Sequence, residues 1–162
     1  MVDLNDIERL GKLKEKENYR FRVFLKENAD EEELDKQFKQ LHEKYFKIYD
    51  CTKCRNCCKK IGTIIKEDEL TKICEELKLN EKFVSDNFDE KYGEYTFRKD
   101  KCLFLDGNTC KVEKCLPIAC REYPYTNKEE RLFSLYSVIS NASICPVVYE
   151  ILEELKKIYK FR

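Results

Sequence analysis

The segment CTKCRNCC at residues 51–58 contains the four cysteines on which the interpretation of the fold depends, Cys51, Cys54, Cys57 and Cys58. Gaps of two residues allow a looping backbone to aim successive sulfurs at one centre. A cluster of this kind is a far more specific signal than a single CxxC pair. The segment therefore predicts a fold that is organised around a cysteine-rich metal centre.

A second group of cysteines follows in the segment KCLFLDGNTCKVEKCLPIACREYP at residues 101–124. Turn-forming residues such as Gly107 and Pro117 interrupt this segment, so its backbone can bend toward a shared centre. A last cysteine, Cys145, directly precedes Pro146. The segment at 101–124 contributes four cysteines, Cys102, Cys110, Cys115 and Cys120.

Two of the ten cysteines need a separate interpretation. Cys74 lies beside Ile73 in the apolar stripe of a predicted helix, where a cysteine behaves as a small hydrophobic residue. We therefore exclude Cys74 from the site. Cys115 lies midway between Cys110 and Cys120, and three roles stay open for it: replacement ligand, resolving thiol or buried bystander.

Over residues 51–147 the chain resembles the CxxCxxCC family of zinc- or iron-chelating cysteine-cluster proteins. The shared pattern is CxxCxxCC, a helical stretch, a Cys followed by apolar residues, a second Cys, a Pro-x-x-Cys-Arg-x-aromatic-Pro run and a late Cys-Pro. Leu116 departs from it, because the family often has Arg there, and Cys115 is an additional thiol. The resemblance implies metal binding without a settled activity. It also implies eight ligands, Cys51, Cys54, Cys57, Cys58, Cys102, Cys110, Cys120 and Cys145.

Adjacent residues such as Cys57 and Cys58 cannot easily point at one small target. Neighbouring side chains diverge by about 100° on a helix and alternate between faces on a strand. We therefore expect two neighbouring sites with four sulfurs each. The first would contain Cys51, Cys54, Cys57 and Cys145, and the second would contain Cys58, Cys102, Cys110 and Cys120.

The expected cofactor is either an iron–sulfur cluster or Zn²⁺. Grouping CxxCxxC with a distant Cys-Pro is similar to the way bacterial ferredoxins hold a [4Fe–4S] cluster, which favours iron–sulfur. Four thiolates also suit a closed structural zinc site. The first alternative indicates a redox or electron-transfer protein, such as an oxidoreductase component. The second indicates a non-catalytic module that presents helices to a protein partner. No substrate site is identifiable.

Charge and hydropathy limit the other partners. The chain has 32 basic and 32 acidic residues, so no long-range field favours nucleic acid or an anionic membrane. Its apolar runs are too short for a signal peptide or a membrane helix, and we expect a cytoplasmic protein with reduced cysteines. Disulfides are the alternative, because the Lys- and Glu-rich composition is typical of hyperthermophile proteins, whose interiors do contain them.

Two residues other than cysteine, Arg121 and His42, could contribute to the site. Arg121 directly follows Cys120, and its guanidinium can donate to sulfur, carboxylate or backbone oxygen, so we predict that it binds the cofactor. His42 is the sole histidine and has no cysteine at ligand spacing. We therefore expect that His42 is not a ligand.

The rest of the sequence predicts a single compact domain that is mainly α with small β elements (α+β). Residues 1–50 would form an N-terminal segment, with a long helix at about 30–49 packing on the core. Residues 51–147 would form the metal-binding region, and residues 148–162 a C-terminal helix of the same domain.

Local signals predict the individual elements. Asp30 and Glu33 form a capping-box pattern at the start of the long helix. Further helices are predicted at 67–79, after Asn80 and from Pro146 onward. Alternation predicts a hairpin between Glu94 and Leu105, and the run LFSLYSVI at 132–139 predicts a strand. The first 25 residues stay open, because Leu4, Ile7 and Leu10 favour a helix whereas YRFRVFL at 19–25 favours a strand.

Overall fold

The computed structural model describes residues 2–99 and 101–162, which divide into two compact units. Unit 1 contains the described residues up to Cys54 together with Pro124–Arg162, and unit 2 contains those of Arg55–Tyr123. Helices predominate in the described residues, with small antiparallel sheets between them, which confirms the mainly α class with small β elements.

The elements follow one another along the chain in a mixed order. The helices of the described residues are α1 (Ile7–Asn28), α2 (Glu31–Phe46), α3 (Cys51–Cys54), α4 (Asn56–Lys60), α5 (Glu67–Leu77), α6 (Glu81–Asn87), α7 (Ile118–Glu122), α8 (Arg131–Ser140) and α9 (Pro146–Ile158). Their strands are β1 (Ile64–Lys66), β2 (Phe88–Lys91), β3 (Glu94–Phe97), β4 (Leu105–Asp106) and β5 (Thr109–Cys110). Two 3₁₀ turns are at Glu113–Cys115 and Asn141–Ser143.

Unit 1 is a packed group of helices. The carboxylate of Asp30 accepts a hydrogen bond from the backbone N–H of Glu33 at 2.9 Å and caps α2, as predicted. Pro146 is the first residue of α9, where its missing N–H costs nothing. Apolar residues at helical spacing then form a common core from α1, α2, α8 and α9, including Phe21, Leu25, Leu34, Phe38, Leu135, Val148, Ile151 and Leu155.

The two uncertain segments of unit 1 are both helical. Residues 19–25, left open by the sequence, lie inside α1. The strand predicted at 132–139 was wrong, because this run lies within α8. Its Leu135, Val138 and Ile139 are buried whereas Phe133 is 72% exposed, a helical spacing. The carboxylate of Asp35 also accepts hydrogen bonds from the backbone N–H groups of Glu130 and Arg131, both at 2.8 Å, and anchors the start of α8.

Unit 2 is built on a three-stranded antiparallel sheet with the order β1-β3-β2. The predicted hairpin region holds β3, which pairs with β2 on one side and β1 on the other. A second hairpin pairs β4 with β5 around Gly107. The buried core of this unit contains Ile65, Leu70, Ile73, Phe88, Phe97, Phe104, Cys110 and Val112.

The helices of unit 2 begin and end near the predicted positions. The side chain of Asn80 accepts from the backbone N–H of Phe83 at 2.9 Å and caps α6. Lys78 ends α5 in the left-handed conformation, with φ of 54°. Among the described residues, no helix combines the length and the apolar character needed to cross a membrane.

Candidate metal centre

Cys51 and Cys54 lie together in unit 1 on the short helix α3. Residues three apart on a helix project from the same face, so this spacing aims both sulfurs in one direction. The carboxylate of Asp50 holds the start of α3, because it accepts from the backbone N–H of Thr52 at 2.9 Å and from the Thr52 hydroxyl at 2.6 Å.

Cys145 joins these two cysteines from a distant part of the chain. It is the N-cap residue of α9 and is only 7% exposed. Burial, with a smaller contribution from nearby Cys51 and Cys54, raises the pKa of its thiol to about 12, although the backbone N–H groups of Val148 and Val147 oppose the increase. Unit 1 therefore brings Cys51, Cys54 and Cys145 into one electrostatic group.

A second group lies within unit 2. The backbone N–H of Cys102 donates to the carbonyl of Cys58 at 3.1 Å, which ties the segment after β3 to α4. Burial raises the pKa of the Cys102 thiol to about 11, and Cys58, Cys120 and Cys110 add to the increase. Two distant parts of the chain therefore contribute to this group, α4 with Cys58 and the segment at 101–124 with Cys102, Cys110 and Cys120.

Cys120 is held in place by contacts around α7. Burial raises the pKa of its thiol, while a hydrogen bond with the Thr63 side chain opposes the increase. The carboxylate of Glu69 accepts from the backbone N–H of Ile118 at 2.7 Å and from that of Lys66 at 3.0 Å. One carboxylate thus caps both α5 and α7, and α7 carries Cys120.

The sulfurs of Cys57 and Cys58 lie 4.0 Å apart. The expectation that these neighbours look in different directions is therefore not met, because rotation about their side-chain bonds lets the two sulfurs approach each other. A hydrogen bond from Cys57 lowers the pKa of the Cys58 thiol to about 6; burial opposes this, and the charges of Arg55 and Lys59 assist it. Cys58 is thus poised to be a thiolate.

These thiols suit a soft or borderline metal ion. All ten cysteines are thiols in the structure. Burial makes thiolates costly at Cys102, Cys120 and Cys145, and a bound cation would offset that cost. Within the described residues, no three His, Cys, Asp or Glu side chains lie in an arrangement that could hold one metal ion as they stand. Metal binding would therefore require the thiol side chains of a group to rotate toward one common point.

The other predicted residues lie in varied surroundings. Cys74 packs against the core of unit 2, as its position in an apolar stripe predicts, and burial raises the pKa of its thiol. Cys115 packs against the same core, and burial and then Glu76 and Cys110 raise its pKa. Nδ1 of His42 lies 2.8 Å from the hydroxyl of Thr126.

Two basic residues of unit 2, Arg121 and Arg55, differ in how far their side chains are buried. Arg121 is exposed, and its role toward a cofactor stays a prediction. Arg55 is the basic residue that is buried near Cys58, with a side chain 10% exposed. The sequence pattern did not single out Arg55, Thr63 or Glu69. Only the spacing of Glu69 from Lys66, typical of a helix start, could have drawn attention to it.

A comparison with known protein families covers the cysteine-rich part of the chain. The sequence model of the CxxCxxCC family, described as "Putative zinc- or iron-chelating domain", matches residues 50–145, which is more than half of the chain. The chain belongs to the CxxCxxCC family. No curated protein and no solved structure matches the chain. Membership of the CxxCxxCC family confirms the resemblance found in the sequence and supports metal binding by the cysteine cluster.

Proposed function

We propose that this chain binds an iron–sulfur cluster of the [4Fe–4S] type and acts in redox or electron transfer. The observation that supports this most is that Cys145, which precedes Pro146, lies near enough to Cys51 and Cys54 in unit 1 for their charges to raise the pKa of its thiol. In sequence, a CxxCxxC run combined with a distant Cys-Pro is similar to the pattern with which bacterial ferredoxins hold a [4Fe–4S] cluster. When bound, such a cluster supplies one-electron redox chemistry.

The residues of the chain would have distinct roles at the two groups. Cys51, Cys54 and Cys145 would hold metal in the first group, and Cys57 stays a predicted ligand. Cys58, Cys102, Cys110 and Cys120 would hold metal in the second group. The backbone N–H groups at the start of α9 favour the thiolate form of Cys145. Burial of Cys145 and Cys110 keeps water from these sulfurs.

Purification without oxygen tests the cofactor directly. Iron and acid-labile sulfide in the protein, together with absorbance at about 400 nm, would support the [4Fe–4S] proposal. A reversible one-electron reduction of that absorbance would support electron transfer. Colourless protein with stoichiometric zinc would overturn the iron–sulfur assignment.

Zinc is the second candidate, favoured by the 4.0 Å separation of the Cys57 and Cys58 sulfurs. Two thiolates on one tetrahedral zinc, each at about 2.3 Å from the ion, are about 3.8 Å apart. A zinc site would rigidify the surrounding loops, and the protein would act through contacts with a partner rather than through catalysis. A metal-bound protein that cannot be reversibly reduced, and that folds only with its metal, would distinguish this function from electron transfer.

Cysteine substitutions test which thiols are ligands. Replacement of any of the eight proposed ligands by Ser should lower the metal content, because an alcohol is a poor ligand for zinc or iron–sulfur clusters. Cys74→Ala is the matched control and should retain full metal content, measured by elemental analysis of the purified protein. Equal metal retention across the series would contradict the assignment. The eight positions are Cys51, Cys54, Cys57, Cys58, Cys102, Cys110, Cys120 and Cys145.

A further inference from the structure

The side chain of Arg55 is unusually well buried for an arginine. It lies in unit 2 and is only 10% exposed, although arginine is among the residues that are least often buried. Its Nη2 atom lies 3.3 Å from a carboxylate oxygen of Glu113. Its Nε atom is also buried, and no acceptor for that N–H is present among the described residues. A buried donor without an acceptor destabilises a fold, so the position of this side chain requires an explanation.

The backbone conformation at Arg55 also costs conformational free energy. Its φ is 52°, in the left-handed region that a side chain with a Cβ disfavours and glycine adopts readily. Strain of this kind persists at positions where the residue serves a function. Glycine at this position would avoid both the strain and the burial of an unpaired donor.

Asn56, the residue after Arg55, also has a buried N–H group without a hydrogen-bond acceptor in the part of the chain that the structure describes. Nδ2 of Asn56 is buried and also lacks an acceptor among the described residues. Cys54 directly precedes Arg55, and Cys57 and Cys58 directly follow Asn56, so both unpaired donors lie within a run of proposed ligands. Thiolate sulfur is the acceptor that this segment can supply.

We propose that Arg55 is a positioning residue of the metal centre in unit 2, and that its Nε–H donates a hydrogen bond to a metal-bound sulfur. This inference rests on the proposed function, because it requires metal-bound thiolates. Four thiolates on a divalent ion leave a net charge of −2, which the buried guanidinium partly offsets. Hydrogen-bonding groups around metal ligands typically contribute 10- to 100-fold to metal affinity.

The central test compares the zinc affinity of Arg55→Gly with that of the unmodified chain, by competition with a chromophoric chelator. We expect a loss of roughly 10- to 100-fold in affinity. Because glycine suits the left-handed conformation, the metal-free variant should unfold at the same temperature as the unmodified chain or higher. Arg55→Lys keeps the charge and loses the planar guanidinium, so its affinity should lie between the two.

Lys78→Gly is the matched control. Lys78 is exposed, belongs to the same unit and has φ of 54°, so the substitution removes similar strain without removing a buried donor. Its zinc affinity should be unchanged. Unchanged affinity in Arg55→Gly, with metal still bound by the unmodified chain, would overturn this inference alone. An unmodified chain that binds neither zinc nor iron would overturn the proposed function, and this inference with it.

Discussion

At the scale of single residues, helix propensity and close packing have opposite effects on the substitution Gly11→Ala, and their magnitudes determine the net change in stability. Helix propensity predicts that Gly11→Ala within α1 stabilises the protein by about 1 kcal/mol. The new Cβ, however, would overlap the Cα of Ser143 and would lie 2.6 Å from the backbone nitrogen of Ser143 and 2.7 Å from the carbonyl oxygen of Ala142. Backbone atoms cannot rotate away as side chains can. We expect a net destabilisation of about 1–2 kcal/mol, since overpacking against backbone lies toward the upper end of the typical cost of about 1–3 kcal/mol and helix propensity offsets about 1 kcal/mol of it.

Urea denaturation measures this change, and Gly62→Ala serves as its control. A Cβ at Gly62 would lie 3.5 Å from the ring of Phe97, an ordinary contact. That variant should stay within about 0.5 kcal/mol of the unmodified chain. If Gly11→Ala were as stable as Gly62→Ala, α1 and the 3₁₀ turn at Asn141–Ser143 would not approach as closely as the structure indicates.

His42 provides a residue-scale prediction about pH. Burial lowers the pKa of its imidazole below the ordinary value of 6.5, although Glu43 opposes the shift. As pH falls below 6.5 the unfolded chain therefore binds more protons at this residue than the folded protein does. The stability that depends on neutral His42 is fully present above that pH and decreases below it, with a slope of at most about 1.4 kcal/mol per pH unit.

The measurement is the free energy of unfolding between pH 8 and pH 5 for the unmodified chain and for His42→Gln. Glutamine can still bond to Thr126 but does not titrate. The variant should therefore lose less stability on acidification. Parallel pH profiles would show that His42 titrates alike in the folded and unfolded states.

At the scale of elements, Glu69 joins two helix starts in unit 2. Its carboxylate accepts from the backbone N–H groups of Lys66 and Ile118, so Glu69→Ala removes the caps of α5 and α7 together. A lost cap costs about 1 kcal/mol, and we expect about 1–2 kcal/mol for the pair. Denaturation gives the free energy, and faster hydrogen exchange at Ile118 would locate the effect.

Glu67→Ala is the control for this prediction. Glu67 is exposed in the same first turn of α5. Its replacement should cost only the roughly 0.3–1 kcal/mol of an acidic residue near a helix start. Equal losses in the two variants would indicate that Glu69 acts through charge alone and does not hold α7.

At the scale of the whole molecule, the two cysteine groups lie in different units. Cys145 belongs to the group in unit 1, and Cys102 belongs to the group in unit 2. If each group binds its own metal, Cys145→Ser and Cys102→Ser should each remove about half of the bound metal, because each leaves the other site complete. The double variant should bind almost none.

Elemental analysis of the three variants, purified under identical conditions, measures this stoichiometry. A protein that loses all of its metal through either single substitution would indicate one shared centre. Cys115→Ala extends the series: retained metal would mark Cys115 as a bystander, whereas a partial loss would mark it as a ligand.

Local signals in the sequence determined much of this protein. Caps at Asp30, Asn80 and Pro146 and apolar periodicity predicted α2, α6 and α9, because a helix start depends on residues within one turn of each other. The spacing of Cys51, Cys54, Cys57 and Cys58 determined the class of chemistry, because thiolate type and spacing are local properties.

Only the tertiary structure decided which distant residues meet. The run at 132–139 is helical because its apolar residues pack against α1 and α2, and this packing overrides the strand preference of the local sequence. The association of Cys145 with Cys51 and Cys54, and of Cys102 with Cys58, likewise depends on long-range folding. Nothing in the local sequence distinguishes Arg55 from the other basic residues. Its strained backbone and its buried Nε–H without an acceptor among the described residues arise only in the folded protein.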